Sequence, residues 1–206
     1  MKKTLFALIA GASLMLAGAA HAGVTGFEDV ATDGDFASLS DINPYAGLNF
    51  SDDWYAGDNT IDGYGNGAHA GTHFAVNGFG SDGATITSAT PFNFAGAWFA
   101  APDGAADKAS WVAISAFDAG SNLIGTTGPV SIGSGYVWAA AAFNNVSSLS
   151  ITRDTGWYVM DDFTTVASAP ASGEVPEPAN PLLLGAGAFA LVLGRARRRK
   201  APASAA

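Results

Sequence analysis

Ser110-Trp111-Val112-Ala113-Ile114-Ser115-Ala116-Phe117, followed by Asp118-Ala119-Gly120-Ser121-Asn122 and then Leu123-Ile124, is the stretch that decides the fold class. Val112, Ile114 and Ala116 fall on one side of an extended chain and Trp111, Ala113, Ser115 and Phe117 on the other, the period-two pattern of a strand with one buried face. The Asp, Gly and Asn cluster that follows has the chemistry of a hairpin turn, because these residues tolerate tight backbone angles and hydrogen-bond their own main chain. The same grammar continues downstream. Tyr136 to Phe143 reads as a strand, Asn144-Asn145 as its turn, and Val146 to Arg153 as the return strand. After Asp154-Thr155-Gly156, Trp157 to Val166 forms the last strand. Upstream, Phe27 to Val30, Leu48 to Phe50, Phe74 to Val76, Ala84 to Ser88 and Phe92 to Phe99 are shorter candidates. No long stretch between the chain ends carries a 3.6-residue apolar period. Many short strands divided by Gly, Asn and Asp turns predict an all-β domain, a two-sheet β-sandwich with jelly-roll-like connections, over residues 23–167.

The ends of the chain have a different composition. Residues 1–22 begin with Lys2 and Lys3, run through apolar Leu5 to Leu16 and close on Ala20-His21-Ala22, the three-part layout of a secretory signal cleaved between Ala22 and Gly23. At the other end Val175-Pro176-Glu177-Pro178 precedes apolar Ala179 to Gly194 and then Arg195, Arg197, Arg198, Arg199 and Lys200. A helix over that apolar run, at ~1.5 Å per residue, reaches roughly 24 Å against a hydrocarbon core of about 30 Å, so it spans as a single transmembrane helix only with local thinning. The basic cluster stops transfer and stays on the cytoplasmic side. Residues 168–174 read as a linker, and residues 201–206 as a short tail of small residues.

In this fixed order of motif, apolar helix and basic cluster, residues 175–200 resemble the PEP-CTERM sorting segment of exported envelope and biofilm proteins. The resemblance implies that Val175, Pro176, Glu177 and Pro178 are a recognition motif for an exosortase-type processing enzyme. It further implies a chain exported across the inner membrane, held there by its C-terminal helix before processing, and then placed in the cell envelope or outside it. An association with extracellular polysaccharide is implied as well.

Charge and cysteine usage narrow the function classes. Up to residue 173 the chain carries 16 Asp and Glu, and beyond the signal it has only Lys108 and Arg153 to set against them, a formal charge of −14. Such a field opposes nucleic acid and anionic lipid and favours cations such as calcium. The protein contains no cysteine, so thiol chemistry and disulfides are excluded and the fold holds by packing.

Pro44 to Phe50, Phe117 to Asn122 and Tyr158 to Phe163 resemble segments of carbohydrate-binding-module-like sandwiches. That resemblance implies that Asp161, at the start of the last strand, sits beside Glu28 and Asp29, where it either caps backbone groups or holds a structural calcium. Alternation places Asp161 on the same face as Trp157, Val159 and Phe163. For ligands the richest segment is the one holding Trp54, Tyr55 and Tyr64. These rings are of the type that stacks on sugar faces, and Asn59 and the carboxylates Asp52, Asp53, Asp58 and Asp62 lie nearby to accept hydroxyl hydrogen bonds. The competing reading makes the same rings part of the core. His69 and His73 have the four-residue spacing of paired helical ligands, but Gly63, Gly65, Gly67 and Gly71 oppose a helix there. No nucleophile elbow, metal-protease helix or phosphate-binding loop is present, and the reading is of a non-catalytic envelope or matrix protein, structural or associated with exopolysaccharide and biofilm, with a carbohydrate-binding module using Trp54, Tyr55 and Tyr64 as the alternative and a carboxylate-dependent hydrolase as the enzymatic one.

A reporter carrying residues 1–22 in front and 174–206 behind is expected to be exported, retained in the inner membrane and then trimmed in a host that has the processing enzyme. Replacing Pro176, Glu177 and Pro178 by Ala should leave insertion intact and stop trimming, followed by immunoblot. Trimming at the parental rate would make the motif a spacer.

Overall fold

The computed structural model describes residues 23–78 and 83–166. The expected signal peptide, linker, sorting motif, apolar helix and basic cluster lie outside these residues. No helix among the described residues is long and apolar enough to cross a membrane.

The strands are β1 (Gly23–Thr25), β2 (Ala37–Ser38), β3 (Asn49–Phe50), β4 (Trp54–Asp58), β5 (His73–Asn77) and β6 (Gly83–Ala100). They continue with β7 (Trp111–Phe117), β8 (Leu123–Thr126), β9 (Val130–Ser131), β10 (Val137–Arg153) and β11 (Val159–Val166), and a short 3-10 turn covers Ser40–Ile42. The class is all-β, and every pairing between these strands is antiparallel. In β7 the expected alternation is observed, with Val112, Ile114 and Ala116 fully buried. Its turn is tied as the residue types predict. Asp118 Oδ1 accepts the N–H groups of Gly120 (2.8 Å) and Asn122 (2.9 Å).

The strands form one hydrogen-bonded ladder in the order β2-β4-β5-β11-β6-β10-β7-β8, with β1 on β11, β3 on β6 and β9 on β7. Two separate sheets were expected. The difference comes from β6 and β10, which span 18 and 17 residues. Each was read as two strands, and Asn144-Asn145 as a hairpin turn. Instead β10 runs through that point by irregular register, shifting between Ala140, Phe143, Val146 and Ser148 against β6. Asn145 takes φ 59°, a left-handed conformation that Asn tolerates better than most residues, and its N–H donates to Oδ1 of buried Asn93 (3.0 Å). A bulge bends a strand and increases its twist without reversing it.

The bend lets one ladder make two layers. The first halves of β6 and β10 pair with different neighbours from their second halves. Residues 93–100 of β6 bind β11, residues 86–87 bind β3, and residues 148–153 of β10 bind β7. Ile86, Val112, Ile114, Leu149 and Ile151 from one half join Trp54, Ala75, Phe99, Met160 and Phe163 from the other in a single buried cluster. The result is a β-sandwich whose two long strands pass through both layers. A second, smaller cluster of Tyr64, Phe74, Val76, Ala100 and Val159 lies on the outer face of the layer built from β4, β5, β11 and β6. Segment 59–72 closes over it with Ile61, Tyr64 and Ala68.

Asn93→Ala is expected to cost about 0.5–1.5 kcal/mol, because it removes the hydrogen bond to the exposed Asn145 N–H at the bend, which water can then take. Asn145→Gly should be near neutral, whereas Asn145→Val, which resists positive φ, should cost on the order of 1–2 kcal/mol. Urea unfolding with an unchanged m value measures all three.

Candidate functional site

Trp54 has no exposure and Tyr64 is 8 % exposed. Trp54 lies on the inward face of β4, packed edge-on against Phe50 (ring centroids 6.2 Å) and Tyr158 (5.9 Å). Tyr64 stacks on Phe74 (5.6 Å, 6° between planes), and burial pushes its phenol up to about 12. Neither ring offers a face to a ligand, which corrects the sugar-stacking reading of this pair. The apolar parts of an aromatic side chain are worth most when buried, and both found a core to fill. Tyr55 is half-buried on the outward face of β4, where it lines a small apolar recess with Phe36, Val76 and Trp157. Asp58 is committed to holding loops. It accepts Thr32 Oγ1 (2.6 Å), the N–H of Gly34 (3.1 Å) and the N–H and hydroxyl of Thr60, and the Thr32 and Thr60 bonds hold its carboxyl well below the usual range.

Glu28 and Asp161 act on one short segment from two sides. Glu28 Oε1 accepts the N–H groups of Thr72 and His73, both at 2.9 Å, and its carboxylate fills the space above Gly71. Asp161 is fully buried, and its Oδ2 accepts the N–H groups of His69 (2.8 Å) and Ala70 (3.0 Å), while Oδ1 takes that of Asp162 (2.6 Å). Asp29 instead accepts the Tyr45 hydroxyl (2.5 Å). The structure therefore brings Glu28 and Asp161 to the same loop as backbone caps and sends Asp29 elsewhere. Among the described residues no three His, Asp or Glu converge in an arrangement that holds a metal ion. His69 and His73 also diverge, the first toward Asp162 (2.7 Å) and the second toward Glu28 (3.4 Å).

Alternation holds as far as Asp161, which shares the outer face with Trp157 and Val159, and it is Phe163 that leaves the expected row. Val159 joins the outer cluster, Met160 and Phe163 join the inner core, and Asp161 faces outward beneath His69 and Ala70. The cause is a bulge. Asp161 pairs with Trp98 but Thr164 pairs with Gly96, so β11 holds one residue more than β6 across this step, and Asp162 absorbs it at φ 49°. From there on the two faces exchange parity.

The bulge generates a site. Across three strands Asp161, Trp98 and Trp138 stand in register on one outward row. The imidazole of His69 lies flat on Trp98 (4.1 Å, 13°) and is held by Asp162 Oδ2. Tyr136 packs edge-on against His69 (5.2 Å) and donates its hydroxyl to the Gly67 carbonyl. Burial, with the charges of Asp161 and Asp162 adding, raises the Tyr136 phenol far above its ordinary value and keeps it a donor. Trp138 is tilted 59° to Trp98 with centroids 5.6 Å apart, and its ring occupies the space above Gly96, where any Cβ would come within 2.6 Å of it. Both indoles are half-buried, and with Val24, Asp162 and Thr164 they line an open groove of about 670 Å³. In the sequence Trp98 and Trp138 sit at outward positions of alternating runs, between small or buried neighbours. The sequence reading did not single out either one, and only strand register makes them a pair.

Burial pushes the Asp161 carboxyl up to about 6, against the lowering pull of the Ala70, Asp162 and His69 N–H groups. A raised acid contributes stability that is complete below about pH 4, its unfolded value, and lost as pH rises through about 6. Asp58 acts in the opposite sense, its contribution present above about pH 4 and lost as pH falls. In urea unfolding at fixed pH, the stability gap between the parent and Asp161→Asn is therefore expected to narrow as pH rises from about 4 to 7. A widening gap would mean that the N–H bonds outweigh burial at this carboxylate.

No protein-family model matches the chain. No curated protein matches it either. Among solved structures, the chain is similar to a DUF4465 family protein from Bacteroides caccae, at 14 % identity and a TM-score of 0.48, over 72 % of this chain and all of that one. It is also similar to the N-terminal CBM22-1–CBM22-2 tandem domain from Paenibacillus barcinonensis Xyn10C, at 13 % identity and a TM-score of 0.39. That match covers 78 % of this chain and 53 % of the other, so the chain spans about half of its length.

Proposed function

We propose that this is an exported, non-catalytic glycan-binding protein of the cell envelope or extracellular matrix, and that polysaccharide binds in the groove walled by Trp98 and Trp138. The observation that carries the reading is the indole pair itself. Two half-buried Trp rings, cross-strand partners on one outward face, stand 5.6 Å apart beside the Asp162 carboxylate and the Thr164 hydroxyl. Pyranose rings present apolar C–H faces that stack on indole and hydroxyls that need acceptors at the rim, and here the Asp162 carboxylate and the Thr164 oxygen, whose hydrogen goes to the Asp162 carbonyl, are those acceptors. The 59° tilt between the rings suits a single chain turning from one residue to the next better than a flat crystalline surface.

The neighbouring carboxylates support binding over cleavage. Glycoside hydrolysis needs two carboxyl groups about 5–10 Å apart on opposite sides of a bond. Asp161 is buried with its oxygens engaged by backbone N–H groups, and Asp162 is the carboxylate among the groove's lining residues. The chain ends supply the route in this reading: export by residues 1–22, retention by the apolar run 179–194 and the basic cluster 195–200, and recognition of Val175-Pro176-Glu177-Pro178 by an exosortase-type enzyme. The sandwich would thus be carried to the matrix its groove recognises.

Glycan-array screening followed by calorimetry tests the binding reading. Trp98→Ala and Trp138→Ala are each expected to weaken binding about tenfold or more, on the order of 1.4 kcal/mol. Trp54→Ala should act differently, costing about 3–5 kcal/mol of stability as a core truncation and affecting binding only through unfolding. An array on which no polysaccharide is retained by the parent would overturn the proposal.

A further inference from the structure

The charge around the groove narrows the class of glycan, an inference that rests on the binding reading above. Asp162 is the ionisable group among the lining residues, and Asp161 lies directly behind it. A Cβ built on Gly26 would meet Oδ1 of both carboxyl groups at 3.6 Å, and of the two Asp161 is the buried one, its oxygens taken by backbone N–H groups. The two Lys and Arg side chains of the domain are elsewhere, and the basic group beside the groove is the His69 imidazole, already paired with Asp162 Oδ2. Lys108 donates to the Asp103 carbonyl (2.5 Å), and Arg153 stands opposite Val112 at the far end of β10. Asp162 lines the groove with its Oδ2 on His69 and its Oδ1 toward Gly26, and its side chain is 20 % exposed.

We infer that the groove selects glycans carrying free amino groups, such as de-N-acetylated hexosamine polymers, over N-acetylated and over uronate-bearing chains. A protonated sugar amine placed over the indoles gains cation–π attraction on their faces and a charge-assisted hydrogen bond to Asp162. An N-acetyl group removes that charge, and a uronate would sit as a like charge beside Asp162 in a domain of formal charge −14. The aromatic walls supply affinity for any pyranose, and the carboxylate supplies the choice among them.

The test is calorimetry on the full chain with three hexasaccharides, of glucosamine, N-acetylglucosamine and galacturonate, in mildly acidic buffer that keeps the amine protonated, at low and high salt. The glucosamine hexamer is expected to bind about fivefold tighter than its acetylated form at low salt, a ratio that falls toward one at high salt. Asp162→Asn should reduce the ratio in the same way, and Asn is suited to the positive φ at that position, so the bulge survives the change. Equal affinity for the acetylated and free-amine hexamers, or tighter binding of the uronate, would overturn the amine preference while leaving the groove as a glycan site. Binding of none of the three would also overturn the amine preference, and retention or loss of other polysaccharides on the array then decides separately whether the groove is a glycan site.

Discussion

The antiparallel pairing of β6 with β10 is the constraint on which the rest of the molecule depends. Eleven registered pairs join them, from Val137 opposite Phe99 to Thr152 opposite Gly83, and both strands bend at the same place. Because the bend lies midway, one half of the pair builds the layer completed by β3, β7, β8 and β9, and the other the layer completed by β11, β5, β4 and β2. A domain without disulfides needs its two layers held by something other than loops. Here the backbone ladder itself passes from one to the other. The cost is local, a polar side chain at the bend, where Asn93 satisfies the Asn145 N–H that the broken register leaves over.

The second bulge, in β11, does for the surface what the first does for the core. By adding one residue just after outward-facing Asp161 it returns Phe163 to the core, while Asp161 stays under segment 66–72. A buried carboxylate must be met by donors, and the donors within reach are the backbone N–H groups of His69 and Ala70. Glu28 meets the next two, of Thr72 and His73. Segment 69–73 is thus stitched to the sandwich by two acidic residues. The stitching carries His69 onto the face of Trp98, and half of the groove's wall follows from where a carboxylate had to be neutralised by dipoles.

This arrangement also accounts for acidic residues that would otherwise read as a solvated surface. Asp58, Asp118, Asp154, Glu28 and Asp161 each accept backbone N–H groups of loops or turns. In a chain with 26 glycines and long connections, carboxylates are efficient loop organisers, since one side chain can accept two or three donors. The acidity that favoured a metal in the sequence is spent in good part on the chain's own backbone.

Local pattern carried the fold class and a good part of the strand positions. The β7 alternation and the Asp118 to Asn122 turn are interactions between near neighbours, and their physics is complete within a dozen residues. The proposed targeting order at the two ends is an expectation of the same local kind, since a bilayer reads length, apolarity and flanking charge along the chain. Continuity through Asn144-Asn145 and the parity exchange at Asp162 were not legible, and the burial of Trp54 was one of two readings left open. Each depends on what stands opposite: Asn93 at a distance of 52 residues, Trp98 across β11, and Phe50 and Tyr158 in the core. The groove is the clearest case. Trp98, Trp138, Asp162 and His69 are ordinary residues in their own segments, and they become a site because strand register and one extra residue in β11 bring their side chains to a single face.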